Sequence, residues 1–219
     1  MLPNKIIGLR DYKEVWDYQK NWMAESLQNR KDDKPIAEEI IFVEHPHVYT
    51  LGKSADKNHL LVNNDFLESI NATSYQIERG GDITYHGPGQ LVVYPLLDLE
   101  TYKMGAKTYI YNLEQVIINV LLDYNITAHR IESKTGIWLD AESQNERKIA
   151  AIGIKCSRHL TMHGLAFNVN TDLTYLNHIV PCGLADSKVT SLAKELGKEI
   201  PLETVIQQFK THFNHYFKK

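Results

Sequence analysis

Arg79-Gly80-Gly81-Asp82-Ile83-Thr84-Tyr85-His86-Gly87-Pro88-Gly89-Gln90 runs straight into the apolar segment Leu91 to Leu97. Gln76 to Glu78 reads as the strand entering this loop. Leu91 to Leu97 reads as the strand leaving it, with Pro95 marking an edge or a bulge. Four glycines within twelve residues let a backbone approach a ligand closely and take positive φ without a Cβ clash. A loop of this kind, held on a sheet, is a binding surface, and its reacting group has to come from elsewhere in the chain. No Gly-Lys-Ser/Thr follows, so it is not a P-loop. A strand and not a helix follows, so it is not a dinucleotide fingerprint.

Outward from the loop, the hydrophobic period alternates between helix and strand. Tyr12, Val15, Trp16, Gln19, Trp22, Met23 and Leu27 predict a helix over Tyr12 to Asn29, and Ile40 to Val43 a buried strand. Ile110, Leu113, Ile117, Val120 and Leu121 share one face of a helix over Thr108 to Tyr124. Ala128–Ile131, Gly136–Leu139, Ile149–Ile154 and Leu165–Val169 read as strands, and Val205, Ile206, Phe209, Phe213 and Phe217 as the apolar face of a last helix. Strands in runs with helices between the runs predict an α/β (α+β) fold, its mixed and largely antiparallel sheet flanked by helices. One domain over 1–219 is expected.

Bulk properties exclude several classes. Net charge is −3, which removes a general electrostatic case for nucleic acid. No run approaches the roughly 18–20 apolar residues that span a bilayer, and Met1 to Arg10 has no signal-peptide pattern, so no membrane is expected and a cytoplasmic location is. Two cysteines, Cys156 and Cys182, are too few for a disulfide framework. His45-Pro46-His47 and the other histidines lack partners at metal-ligand spacing, so no metal is expected.

Cys182 stands in Val180-Pro181-Cys182-Gly183, where proline and glycine put the thiol on a constrained turn. A free cysteine is more often buried and inert. Cys156, at a strand end beside Lys155, is the weaker candidate. A thiol of pKa about 8.5 is only a few per cent thiolate at pH 7 and needs an activator. His86, His163 and Lys148, which opens Lys148-Ile149-Ala150-Ala151-Ile152-Gly153, are the three available. The residues alone therefore reach a cysteine acyl or thiol site beside a glycine-rich loop.

At these residues the chain resembles the lipoyl(octanoyl) transferase family, the octanoyl-acyl-carrier-protein:protein N-octanoyltransferases. Arg79 to Gln90 looks like the family's long signature and Lys148 to Gly153 like its lysine strand. His163-Gly164-Leu165-Ala166-Phe167-Asn168 is similar to its second pocket segment, and Pro181-Cys182-Gly183 to its nucleophile turn. The ordered set spans nearly the whole chain. Asp82 stands at a variable position and carries no weight in the match.

The resemblance implies the fold of biotin and lipoate protein ligase catalytic domains. It implies transfer of an octanoyl (or lipoyl) group from acyl carrier protein to a lysine of a lipoyl domain of a 2-oxoacid dehydrogenase complex or of glycine cleavage H protein. Cys182 would carry the acyl thioester and Lys148 would tune it. Arg79, Gly80, Gly81, Asp82, Ile83, Thr84, Tyr85 and His86, with Ala151, Ile152, Gly153, Gly164, Leu165 and Ala166, would bind substrate. Backbone amides near Gly153, Gly164 or Gly183 would meet the oxyanion. No cofactor is implied, since the donor carries its own phosphopantetheine, and the family implies a monomer. An ATP-dependent lipoate–protein ligase on the same fold and a non-catalytic carrier-binding protein are the alternatives.

Overall fold

The computed structural model describes residues 2–132, 134–180 and 188–218, so Cys182, with Pro181 and Gly183, lies outside the described residues. The strands are β1 (Asn4–Leu9), β2 (Glu39–Glu44), β3 (Val48–Leu51), β4 (Thr73–Gln76), β5 (Ile83–His86), β6 (Gln90–Leu96), β7 (His129–Ile131), β8 (Lys134–Leu139), β9 (Arg147–Ser157), β10 (Leu160–Asn168) and β11 (Lys188–Val189). The α-helices are α1 (Tyr12–Lys31), α2 (Asn64–Ser69), α3 (Ala106–Leu122), α4 (Leu192–Leu196) and α5 (Leu202–Tyr216).

The larger sheet has the order β1-β2-β6-β10-β9-β8-β7, with β11 parallel on β9. Apart from the parallel pairs β1–β2 and β11–β9 it is antiparallel. A smaller sheet, β4-β3-β5, pairs β3 parallel to β4 and antiparallel to β5. The mixed, largely antiparallel architecture read from the sequence is therefore present.

Period-two alternation explains how helices come to cover both faces of the larger sheet. On β2, Ile40 and Phe42 join the core formed with Leu113, Val116, Ile117 and Val120 of α3 and with Phe209 and Phe213 of α5. Ile41 and Val43 face the other way, against Val15, Trp22 and Met23 of α1. Helix α1 starts where Asp11 accepts the Glu14 N–H at 3.1 Å, a side-chain N-cap.

Two expectations need correction. The strand read at Gln76 to Glu78 is β4 and ends at Gln76, and the glycine stretch is not one loop, because Ile83–His86 forms β5. Pro95 is not at an edge: β6 lies between β2 and β10. The neighbours of Pro95 have adapted to its missing N–H. Leu165 pairs with Val93, and counting on in that register sets His163 opposite Pro95. His163 takes φ +59° there, and its N–H goes to Gln19 Oε1 of α1 at 2.7 Å. The Thr161 hydroxyl donates to the Pro95 carbonyl at 2.9 Å.

At the next residue, a Cβ on Gly164 would stand 2.1 Å from the Val93 carbonyl oxygen and 2.9 Å from Pro95 Cδ. Gly164→Val is expected to destabilise the protein by about 3 kcal/mol or more, since overpacking here meets backbone in the sheet centre. A urea midpoint equal to the parent's would contradict this packing.

Candidate active site

A cavity of about 910 Å³ opens between the two sheets, within the size range of small-molecule sites. All fourteen residues expected to bind substrate line it, and so does Lys148. Three separate segments supply that lining, and each is held by its own device.

The first is Arg79 to His86. Arg79 is buried, and its guanidinium donates to the Thr50 carbonyl (2.6 Å), the Thr50 hydroxyl (3.1 and 3.3 Å) and the Gly80 carbonyl (3.1 Å). It thereby ties the glycine turn to β3. The Gly80 N–H donates to the Ile154 carbonyl at 2.8 Å, which docks the turn on β9 beyond the end of β8. Gly153 makes that approach possible, since a Cβ there would lie 2.9 Å from the Gly80 carbonyl and 3.0 Å from Arg79 Cδ.

The second and third segments are neighbouring strands, with Ala151, Ile152 and Gly153 of β9 opposite Ala166, Leu165 and Gly164 of β10. Their backbone directions follow by alternation. Ile154 turns its carbonyl to Gly80, away from β10, so Gly153 faces β10 and exchanges its amide bonds with Gly164. The amides of Gly153 and Gly164 are therefore spent in the ladder, which removes both as oxyanion donors; Gly183 lies outside the described residues. Ile152 directs its N–H away from β10, past the last β8 pairing at Ala150.

Burial weakens both histidine activators as bases. The carboxamide oxygen of Gln90 lies 2.8 Å from His86 Nδ1, which assigns the proton to that nitrogen, and the ring stacks on Tyr12 at 5.7 Å. Burial holds the His86 pKa well below the usual range. Burial also lowers His163 to about 4, and its Nε2 is buried without a partner among the described residues. Against a thiol near 8.5, a base of pKa about 4 faces a proton-transfer deficit of roughly 6 kcal/mol.

Lys148 is placed differently. It is half-buried, pairs in register with Trp138 of β8, and holds its ammonium 4.5 Å above the Trp138 ring. Gly136 makes room for the lysine stem: at φ +127°, a Cβ there would lie 3.4 Å from Lys148 Cε and 2.7 Å from the Ala150 carbonyl. The bend is fixed by Glu114 of α3, which accepts the Gly136 N–H at 3.1 Å and the Arg130 Nε–H at 3.0 Å. Cys156 also lines the cavity, but partial desolvation pushes its thiol up, away from the reactive thiolate.

Trp138, Glu114, Thr50 and a His59–Asp82 pair were not found from the sequence. Each acts through a partner on another element, and no local motif marks it. Among the described residues no three His, Cys, Asp or Glu form a metal site, and no helix is long and apolar enough to cross a membrane.

A lipoate protein ligase from Thermoplasma acidophilum with bound lipoic acid superposes with a TM-score of 0.71 at 15% identity, covering 98% of this chain and 85% of that one. A biotin protein ligase from Aquifex aeolicus in complex with biotin and ATP gives a TM-score of 0.54 at 10% identity, covering 99% and 70%. The fold is that of the lipoate- and biotin-attaching enzymes. The family model described as lipoyl protein ligase A/B catalytic domain matches residues 11–214. Octanoyltransferases of Bacteroides thetaiotaomicron (93% of this chain, 89% of the relative) and Christiangramia forsetii (97% and 94%) are each 48% identical. The chain belongs to the lipoyl(octanoyl) transferase family and is an acyltransferase, as the sequence resemblance implied.

Proposed function

We propose that this enzyme moves an octanoyl group from the phosphopantetheine thioester of acyl carrier protein to a lysine of a lipoyl domain, through a thioester on Cys182. The observation that carries the reading is how the chain is fastened on either side of 181–187. The Val180 N–H donates to the His59 carbonyl at 2.9 Å on the cavity wall. Lys188 and Val189 pair alongside Arg147 and Lys148. The described residues on both sides of 181–187 are thus fastened to the cavity wall that carries Lys148, which supports the reading.

The chemistry follows from proton affinities. A lysine (about 10.4) outcompetes a thiol (about 8.5) for one proton by roughly 2.6 kcal/mol, so the pair rests as thiolate and ammonium unless desolvation reverses the order. The thiolate attacks the incoming thioester and the Lys148 ammonium returns a proton to the leaving phosphopantetheine thiol. The acceptor amine then attacks the acyl-enzyme, the C–S bond breaks to release the Cys182 thiolate, and the now neutral Lys148 takes the amine's proton, which restores the resting pair. Ile152 N–H is the donor offered to the oxyanion in both halves. Thioester to amide runs downhill and needs no nucleotide or metal. The cytoplasm, where thiols stay reduced, suits it.

Transfer from octanoyl-carrier protein to a purified lipoyl domain without ATP tests the reading. Success supports it. Failure, with free octanoate and ATP succeeding, would assign the chain to ligase chemistry instead.

Of the four basic residues that the sequence offered for steering an acidic carrier, Lys53 and Lys57 are exposed beside Ser54 and His59 of the cavity. Lys155 is half-buried and spent on Glu78 at 3.4 Å, while Arg158 is exposed at the β9–β10 turn. Raising salt from about 50 to 500 mM is expected to lower the transfer rate at limiting carrier severalfold, through screening of this surface. A flat salt profile would contradict steering.

A further inference from the structure

The edge of β9 that faces away from β10 changes character part-way along the strand. Among the described residues β8 pairs with it no further than Ala150, yet β9 runs on to Ser157. Gly153 spends its backbone groups on Gly164, so by alternation Ile152, Ile154 and Cys156 turn theirs to the uncovered side. Among the described residues Gly80 alone reaches that side by a backbone bond, and it takes the Ile154 carbonyl. The N–H groups of Ile152, Ile154 and Cys156 are left as a row of donors, about 6.6 Å apart along about 13 Å of strand.

All three residues line the cavity. Ile152 and Ile154 pack toward the α3 core, and Ala106 and Ile110 of α3 line the same cavity. The row is therefore polar along one side and apolar along the other. Its Cys156 end is exposed, and Ile152 lies inward, toward Lys148 on the same strand. A ligand that fits is narrow and extended and carries acceptors at intervals that match the donors. An octanoyl chain, which has no acceptors, would strip these N–H groups of water without replacing it.

We infer that this open edge of β9 is the subsite for the pantetheine arm of the donor, laid along it as an added strand, an assignment that rests on the proposed octanoyl transfer. Octanoyl-pantetheine carries carbonyls at its thioester, its inner amide and its outer amide, roughly 5–6 Å apart along the extended arm by bond lengths. The thioester carbonyl meets the Ile152 N–H, the proposed oxyanion donor. The inner amide accepts from Ile154 and the outer amide from Cys156. The geminal methyl groups beyond the outer amide lie against the apolar α3 wall. The arm enters at the exposed Cys156 and delivers its thioester toward Lys148. Main-chain pairing of this kind holds an extended ligand without any charged side chain.

Two measurements test the subsite. Hydrogen exchange of the wild-type chain is read at single residues with and without pantetheine, the free thiol, which has no acyl group to give. The Ile154 and Cys156 amides are expected to exchange fast in the free chain and to slow about tenfold or more at saturating pantetheine. Acyl-enzyme formation, followed by intact mass, then compares octanoyl-pantetheine with octanoyl-N-acetylcysteamine, which lacks the outer amide. One hydrogen bond makes the longer donor about five- to tenfold better in kcat/KM. Cys156→Pro removes the N–H at an edge position where proline is tolerated, and should bring the two donors to within about twofold. Cys156→Ala, which keeps the N–H, should keep the preference. Unchanged exchange, equal donors in the wild type, or a preference undiminished in Cys156→Pro each overturn the subsite. A wild-type chain that neither donor acylates overturns the octanoyl-transfer reading itself.

Discussion

Lys148→Ala is expected to slow both acyl-enzyme formation and transfer to the acceptor by about 10²–10⁴-fold, the usual worth of a positioned proton donor or charge partner. The ammonium sits over Trp138, and its stem occupies the space that Gly136 leaves open. Alanine removes the cation without disturbing that frame, so folding should survive. The first half-reaction loses the cation that favours thiolate and the proton for the departing thiol. The second loses the base that takes the acceptor amine's proton and, once protonated, partners the returning thiolate. Stopped-flow or quench kinetics on each half-reaction between pH 6 and 9 check this. Unchanged acyl-enzyme formation across that range would refute the role of Lys148, and a loss confined to the second half would contradict its place in the first.

Acid is expected to weaken the fold early. His45 and His163 have pKa values lowered to about 4 by burial, and His86 lies well below its usual range. In the unfolded chain each returns to about 6.5, so the unfolded state binds more protons as pH falls. Their stabilising contribution is complete above about pH 6.5 and is lost progressively toward pH 4. From pH 7 to 5 His45 and His163 cost about 1–2 kcal/mol apiece, and His86 acts in the same direction. Glu114 opposes this, because burial raises its carboxyl and proton uptake favours the folded state there. Three imidazoles outweigh one carboxyl, so the urea midpoint should drop between pH 7 and 5. A midpoint that is constant or rises over that interval would contradict neutral burial of these rings.

What was legible in the sequence was whatever repeats at short range. The period of Val15, Trp22 and Met23 marks α1, and the unbroken run Leu91 to Leu97 marks a strand buried on both faces. The fourteen binding residues were legible as three motifs, and the structure gathers them around one cavity. Pro95 was misread because a proline in a strand ordinarily means an edge or a bulge. Here the Thr161 hydroxyl and Gln19, 66 and 76 residues away in sequence, take over the missing ladder bonds. The pairing of Asp82 with His59 was not legible, because His59 lies 23 residues upstream on a 3-10 turn that no periodicity marks. Gly153 and Gly164 looked like exposed amides until register showed that each occupies the other. Local chemistry survives translation from sequence, whereas pairings set by register and long-range hydrogen bonds do not.

The central claim is that the acyl group passes through Cys182. Intact-mass spectrometry after incubation with octanoyl-carrier protein, without ATP and without acceptor, tests it most directly. The expected result is a single octanoyl adduct on the wild-type chain that is absent from Cys182→Ala and discharged when a lipoyl domain is added. An adduct that persists in Cys182→Ala would move the nucleophile to Cys156 or another residue, and transfer without any adduct would contradict the covalent route.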